Sequence, residues 1–247
     1  MADKKIKCVA DLVKHLKKDG TNKAESTWYR GHTDQSWKLE SGYERLKKPP
    51  KEISLVNEFR QNANFLLDKH TPQNDFDWLI LMQHYGVPTR LLDWSESPLV
   101  SLYFAVISES RGSRQKDGAL WVLEPGKLNK NTNSMDDPYI PAFEEDEYMA
   151  DFQTIKYDSG TSAGLMPIAA IATRNNPRIQ AQLGTFTISR SKIPIEEVGD
   201  RSHVIKYTIP KESKAEIAEE LKLLGLGKFQ IFPELSSIGE KIKESYK

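Results

Sequence analysis

The chain has 247 residues, with 35 Lys and Arg against 35 Asp and Glu, so its formal net charge is zero at pH 7. Its nine Phe, nine Tyr and five Trp exclude a disordered chain, and zero net charge argues against a protein that coats nucleic acid through bulk positive charge. The single cysteine, Cys8, excludes an internal disulfide and a thiolate-rich metal site. With no apolar run as long as a membrane span and no apolar signal core, we expect a cytoplasmic protein.

Helices are predicted wherever apolar residues recur at helical spacing. In chain order, the predicted helices are 9–16, 53–69, 75–85, 98–107, 212–224 and 234–243. Runs of β-branched and aromatic residues predict strands at 27–31, 119–123, 184–189 and 203–209, and a short strand or turn at 91–94. Residues 164–172 are apolar and fit either element.

Helices thus concentrate in the first half of the chain and strands in the second, an order that predicts an α+β fold rather than βαβ units. No repeat or linker divides the chain, so we expect a single domain over residues 1–247 with a loop-rich insertion at 126–160, which contains the acidic cluster 144–147. Residues 1–60 hold 14 basic and 9 acidic residues. This excess is either a solvated face or the mark of an anionic ligand.

Three segments carry candidate functional residues, whereas a P-loop, a dinucleotide glycine fingerprint, a paired-histidine metal motif and a nucleophile elbow are absent from the sequence. The first segment is Trp28–His32, in which Arg30 ends a strand and can hold a phosphate or carboxylate with two hydrogen bonds. Gly31 would let a ligand approach the backbone. The alternative is an ordinary strand end with an exposed arginine.

The second segment, His84–Ser95, places polar side chains between two predicted buried helices, where loops commonly carry binding groups. Within it, Arg90 and Asp93 either pair with each other or orient a ligand. His84 is a candidate base or a core histidine.

The third segment, Asn176–Phe186, brings Gln180 and Gln182 to one face if it is extended. Glutamine amides both donate and accept hydrogen bonds, which suits the hydroxyls of a ribose. The alternative is an ordinary polar strand face.

Four stretches of the chain resemble the FRG domain family and occur in the same order as the motifs of that family. They are Trp28–Gly31, the long run Gln83–Ala105, the spaced residues Arg178, Gln182, Gly184 and Phe186, and the stretch Leu226–Leu235. The resemblance extends over residues 10–245, and the long run is its most specific part.

The same motifs resemble, in the same order, the three signature regions of ADP-ribosyltransferases, which implies an ADP-ribosyltransferase-like fold with a split mixed or antiparallel sheet. Arg30 matches the arginine that ends their first strand and helps to hold NAD. Asp93–Ser95 fall where their Ser-Thr-Ser turn precedes a helix. Gln180 and Gln182 have the spacing of their third region, but Gln182 replaces the catalytic glutamate and, being neutral, stabilises positive charge less well.

The resemblance implies that NAD is the substrate and that no metal is required. Asp93 or Gln182 would stabilise an oxocarbenium ion, and His84 would act as the base. Tyr85 or Trp94 would stack on the nicotinamide ring. The residues expected to bind NAD are Tyr29, Arg30, Gly31, Tyr85, Thr89, Arg90, Trp94, Ser95 and Gln180.

The resemblance further implies a toxin of a bacterial toxin–antitoxin or anti-phage system, which transfers ADP-ribose to RNA or, less favoured, to protein. An antitoxin and a chaperone are the expected partners. One alternative is a non-catalytic module that binds a nucleotide or nucleic acid, which the missing glutamate favours. Another is a ribonuclease, for which His84 with His32 is the candidate proton-transfer pair.

Overall fold

Six antiparallel strands form one sheet in the computed structural model, which describes residues 4–21, 26–67, 72–107, 115–133, 138–143, 147–160, 166–174 and 176–246. The strands are β1 (Trp28–His32), β2 (Leu91–Ser95), β3 (Gly118–Leu123), β4 (Ile168–Ala170), β5 (Gly184–Ile188) and β6 (Val204–Ile209). Their order across the sheet is β4-β5-β2-β1-β3-β6. Every predicted strand is present, and the ambiguous segment 164–172 contains β4.

Helices cover both faces of this sheet. Those in the described ranges are α1 (Val9–Lys18), α2 (Glu52–Ala63), α3 (Asp75–His84), α4 (Pro98–Val106), α5 (Pro125–Asn133), α6 (Thr154–Ser159), α7 (Pro177–Ala181), α8 (Lys214–Leu223), α9 (Lys228–Ile231) and α10 (Leu235–Ser245). None of these helices has the length and apolar character needed to cross a membrane.

The predicted concentration of helices in the first half of the chain is wrong. Three strands, β1 to β3, precede residue 124, and six helices, α5 to α10, follow it. The predicted loop-rich insertion at 126–160 is also wrong in character, because it contains most of α5 and all of α6. Of the acidic cluster, residues 144–146 lie outside the described residues, whereas Glu147 begins a 3-10 helix. The prediction failed because turn-forming residues occur throughout this segment, and they separate short helices rather than replace them.

The sheet divides between β1 and β2. These strands share a single residue pair, Tyr29 with Ser95, whereas β1 and β3 share five pairs and β2 and β5 also share five. Beyond Tyr29 the two strands part, and their facing backbone groups need partners other than each other. Pairing of β1 with β2 is thus confined to one residue pair, and the split beyond that pair opens a cleft between the two strands.

Helix α4 packs directly on β1 beside this split. Ser97 caps its N-terminus by accepting a hydrogen bond from the Val100 amide at 3.3 Å, and Pro98 takes the first turn. A Cβ atom on Gly31 would lie 1.9 Å from the Ser101 carbonyl oxygen of α4. Gly31 therefore serves the close approach of strand and helix. It also borders the cleft, and its approach by a ligand stays a prediction.

Candidate functional site

A cavity of about 610 Å³ occupies the split between β1 and β2. We call it the cleft. The ends of α3 and α4, the turn after α7, and the chain after α9 close its sides. The residues that line it are Tyr29, Arg30, Gly31, His32, Thr33, Trp37, Arg45, Ile80, Gln83, His84, Asp93, Trp94, Ser95, Ser101, Phe104, Ile107, Arg178, Ile179, Gln182, Gly184, Phe186 and Phe232. Parts of all three predicted segments thus meet in one place.

Arg30 lies in the split itself and bridges the two halves of the sheet. Its Nη1 donates to the Asp93 carbonyl oxygen at 2.5 Å, and its Nε donates to Nε2 of His32 at 3.0 Å. The guanidinium thereby satisfies a β2 carbonyl that the missing strand pairing leaves free. Burial lowers the pKa of Arg30, while the nearby Asp93 carboxylate raises it. An arginine remains protonated under such shifts, so it keeps its positive charge in the cleft.

Asp93 presents its carboxylate to the cleft from the centre of β2. Side chains alternate along a strand, so Asp93 points away from its neighbours Leu92 and Trp94, which belong to the apolar core of the other face. The Asp93 side chain is 55% exposed, and its Oδ2 lies 3.8 Å from Nη1 of Arg30. The predicted catalytic carboxylate is therefore accessible to a ligand and adjacent to a fixed positive charge.

Trp94 and Tyr85 are not positioned as predicted. Trp94 borders the cleft, but its ring is buried with the apolar core of the far face, where Nε1 donates to Thr187 Oγ1 at 3.0 Å. Tyr85 follows α3 outside the cleft, and its exposed ring contacts Phe59 and His84. The prediction that either ring stacks on nicotinamide is wrong, because strand alternation turns one inward and the helix end turns the other outward.

Thr89 and Arg90 are buried behind the cleft wall, so their predicted role in binding NAD is wrong. The Thr89 hydroxyl donates to Oε1 of Gln83. Arg90 is 1% exposed and pairs with Glu52, with Nε and Nη2 each 2.8 Å from the same carboxylate oxygen. The predicted pairing of Arg90 with Asp93 is also wrong.

Further contacts hold the guanidinium of Arg90 through its two terminal nitrogens. Its Nη1 donates to the Ser189 carbonyl at 3.1 Å, and its Nη2 donates to the Phe152 carbonyl at 2.7 Å. The ring of Tyr157 covers its Cζ at 4.1 Å. Through all three guanidinium nitrogens Arg90 joins α2, the segment before α6 and the segment after β5, so Arg90 is a structural residue.

The third segment is helical rather than extended, which corrects the placement of its glutamines. Asn176 caps α7 by accepting from the Arg178 amide at 2.8 Å, and Pro177 occupies the first turn. Gln180 is exposed on this helix and does not line the cleft. Gln182 follows the helix and does line the cleft, so only one of the two glutamines is a site residue.

Hydrogen bonds hold Gln182 firmly. Ser95 Oγ donates to the Gln182 carbonyl at 2.6 Å, and the Glu96 amide donates to the Leu183 carbonyl at 3.0 Å. The side-chain nitrogen Nε2 of Gln182 donates to the Ile231 carbonyl at 3.1 Å, and the side-chain oxygen Oε1 remains an acceptor. Leu183 has a φ of 47°, a left-handed conformation that a leucine adopts only where its surroundings impose it. The predicted site residue Ser95 thus acts by fixing Gln182.

Two histidines line the cleft, and their environments differ. Burial, then the charges of Arg30 and Arg45, lowers the pKa of His32 to about 3, so its Nε2 accepts from Arg30 as a neutral ring. Burial and the nearby Arg178 lower the pKa of His84, while Glu234 raises it. Both shifts therefore favour the neutral ring over the histidinium.

Many of the residues that line the cleft were not assigned to the site by the prediction. Among them are Trp37, Arg45, Phe104 and Phe232. Phe104 and Phe232 meet edge to face with ring centroids 5.9 Å apart, and Arg178 lies over the Phe232 ring at 4.8 Å. Trp37 is 51% exposed, and an exposed tryptophan in a polar loop was the one signal available in the sequence.

Residues 25–114 match the FRG domain, and this part of the chain is therefore an FRG domain. The matched region contains β1, β2, α3 and α4, which supply most of the cleft. No curated protein and no solved structure matches the chain at a significant level. In the described ranges, no three His, Cys, Asp or Glu side chains come together as metal ligands would.

Proposed function

We propose that the cleft binds NAD and that the protein is an NAD-dependent ADP-ribosyltransferase with an ADP-ribosyltransferase-like fold. The observation that carries the proposal is the convergence of Arg30, Asp93 and Gln182 on one cavity at the split of the sheet. These are one residue from each of the three regions that resemble the signatures of that superfamily. They lie far apart in sequence, and nothing local to any one segment requires them to meet.

Charge in the cleft suits the pyrophosphate of NAD. Three guanidinium groups, those of Arg30, Arg45 and Arg178, line it together with the carboxylate of Asp93. Arginine pairs with phosphate oxygens through two parallel hydrogen bonds. Arg30 already uses Nε and Nη1, so its remaining N–H groups and the other two arginines would hold the phosphates.

The reaction would break the bond between nicotinamide nitrogen and ribose C1′, with the electron pair leaving on nicotinamide. Positive charge then develops on the ribose, and the exposed Asp93 carboxylate would stabilise it. Oε1 of Gln182 would accept a hydrogen bond from a ribose hydroxyl, since the bond from Nε2 to the Ile231 carbonyl fixes the orientation of the amide. The acceptor nucleophile would form the new bond to C1′ and release its proton to neutral His84.

The aromatic side chains that line the cleft replace those predicted from the sequence. The edge-to-face pair of Phe104 and Phe232 offers apolar surface for the nicotinamide ring. A role as a toxin with an antitoxin partner rests on analogy with other small ADP-ribosyltransferases rather than on the cleft.

A direct test incubates purified protein with NAD labelled on the adenylate phosphate, total cellular RNA and lysate protein. We expect label to transfer, nicotinamide to be released, and both to fall by about 100-fold or more in Asp93→Ala and Gln182→Ala. If no label is transferred, no nicotinamide is released and the RNA stays intact, the proposed enzyme activity is overturned.

A non-catalytic nucleotide-binding module is the second candidate, and the neutral amide of Gln182 favours it. In that case NAD binds without nicotinamide release, and Arg30→Gln removes binding. The Gln182→Glu variant sharpens the choice, because a carboxylate there should increase turnover in an enzyme and should do nothing in a binding module.

A further inference from the structure

A basic loop lies beside the cleft. We define it as residues 41–51, which contain Arg45, Lys47, Lys48 and Lys51. All four side chains are exposed. The three lysines form no ion pair with any residue of the described ranges. Their positive charge is therefore available to a partner.

The basic loop is held in one shape by its own hydrogen bonds. The Ser41 amide donates to the Glu44 carboxylate at 2.9 Å, and the Glu44 amide donates to Ser41 Oγ at 3.2 Å. The Tyr43 hydroxyl donates to the Pro50 carbonyl, and the Tyr43 amide donates to the Thr89 carbonyl at 3.0 Å. The carboxylate of Glu44 is thus bonded within the loop. A loop that is already held in one shape loses little conformational entropy when it binds a partner.

The basic loop continues into the cleft through Arg45, and Trp37 lies next to it. Arg45 lines the cleft and its charge lowers the pKa of His32. Trp37 meets His32 edge to face with ring centroids 5.9 Å apart. Arg45 and Trp37 therefore flank the same histidine, His32. The exposed ring of Trp37 thus lies close to the positive charges of the basic loop.

We propose that Trp37 and the basic loop bind the acceptor as a single strand of nucleic acid, with a base stacked on Trp37 and the phosphates along Arg45, Lys47 and Lys48. This inference rests on the proposed function, because it assigns the acceptor of the same cleft. Sites for single strands combine aromatic stacking with a basic track along the backbone. A duplex keeps its bases stacked on each other and offers none to Trp37.

The first experiment measures binding of fluorescein-labelled 12-nucleotide RNA and DNA strands by anisotropy, without NAD, over a series of salt concentrations. We expect Lys47→Gln/Lys48→Gln to weaken binding and to reduce the slope of log affinity against log salt by about 1.4, since each phosphate contact contributes about 0.7 for a single strand. Lys17→Gln/Lys18→Gln, which removes two exposed lysines of α1, is the matched control and should leave the slope unchanged.

The second experiment uses tryptophan fluorescence. The other four tryptophans are each at most 6% exposed, so Trp37 is the one that a base can reach. We expect the unlabelled strand to quench the fluorescence of the parent protein, and we expect Trp37→Phe to remove that quenching while retaining part of the affinity. Comparing RNA with DNA, and both with a duplex, shows which strand is preferred.

The outcomes separate this inference from the proposed function. NAD that binds and releases nicotinamide, with equal strand affinity in the Lys47→Gln/Lys48→Gln and control variants, would overturn the inference and leave the enzyme standing. Label transfer to protein alone would likewise overturn it. Strand binding that depends on these residues, without any NAD binding, would support the strand site and overturn the proposed function.

Discussion

Arg30 lies within β1 and Arg90 directly precedes the neighbouring strand β2, yet the fold puts the two arginines to different uses. Arg90 is enclosed by Glu52, Tyr157 and two carbonyl groups, and no part of it reaches the cleft. Arg30 bridges the split in the sheet and keeps N–H groups free for a ligand. A buried arginine whose three guanidinium nitrogens all donate within the protein holds elements together, whereas one with a nitrogen left over in a cavity can bind an anion.

The largest expected effect is a loss of stability when Arg90 is deprived of its partner Glu52. Glu52→Gln leaves the Arg90 charge buried without its partner, which should cost about 3–5 kcal/mol of unfolding free energy. Urea unfolding measures it. Arg174→Gln, which breaks the exposed pair of Arg174 with Glu96, is the matched control and should cost less than about 1 kcal/mol. Equal losses in the two variants would contradict a structural role for Arg90.

The next effect concerns the packing beside Arg30. Gly31→Ala places a methyl group against the backbone of α4, so we expect a loss of about 1–3 kcal/mol or more. Gly239 lies in α10, where an added Cβ atom would have no neighbour within 4 Å, so Gly239→Ala should stabilise by about 0.5–1 kcal/mol. Thermal unfolding of both variants compares them. A neutral Gly31→Ala would mean that α4 does not press on β1.

The stability of the protein should also depend on pH, by a smaller amount for each pH unit. The folded state holds the pKa of His32 at about 3, against 6.5 in the unfolded chain. As pH falls from about 6.5 towards 3, the unfolded state takes up a proton that the folded state refuses, so stability falls by up to about 1.4 kcal/mol per pH unit.

The His32→Gln variant separates this contribution from that of other acidic and basic groups. Its amide oxygen can still accept from Arg30 but does not titrate. Urea unfolding at pH 7, 6, 5 and 4 should show a shallower decline for the variant than for the parent. Identical declines would show that His32 is not held neutral beside Arg30.

The smallest effect tests the residues that the structure removes from the site. Tyr85→Ala and Gln180→Ala alter exposed side chains outside the cleft, so NAD affinity should change by less than about twofold. Calorimetric titration with NAD measures it. A tenfold loss in either variant would mean that the site extends beyond the cleft, around the end of α3 or α7.

The sequence allowed the strands and the Arg30, Asp93 and Gln182 positions to be predicted, because aromatic and β-branched runs and the motif resemblance are local signals. It did not reveal the partner of Arg90, since Glu52 is 38 residues away and shares no pattern with it. The error at Gln180 was avoidable, because Asn176-Pro177 is a helix start that the sequence displays. Which way Trp94 faces follows from strand alternation once Asp93 is placed in the cleft.

The most direct test of the central claim is calorimetric titration of NAD into the parent protein, Arg30→Gln and Arg174→Gln, with folding of each checked by urea unfolding. The account predicts that Arg30→Gln weakens NAD binding about tenfold or more, since a charge-assisted hydrogen bond contributes about 1.5–3 kcal/mol. Arg174→Gln, an arginine outside the cleft lining, should bind as the parent does. A folded Arg30→Gln variant with unchanged NAD affinity, or a parent that does not bind NAD, would contradict the account.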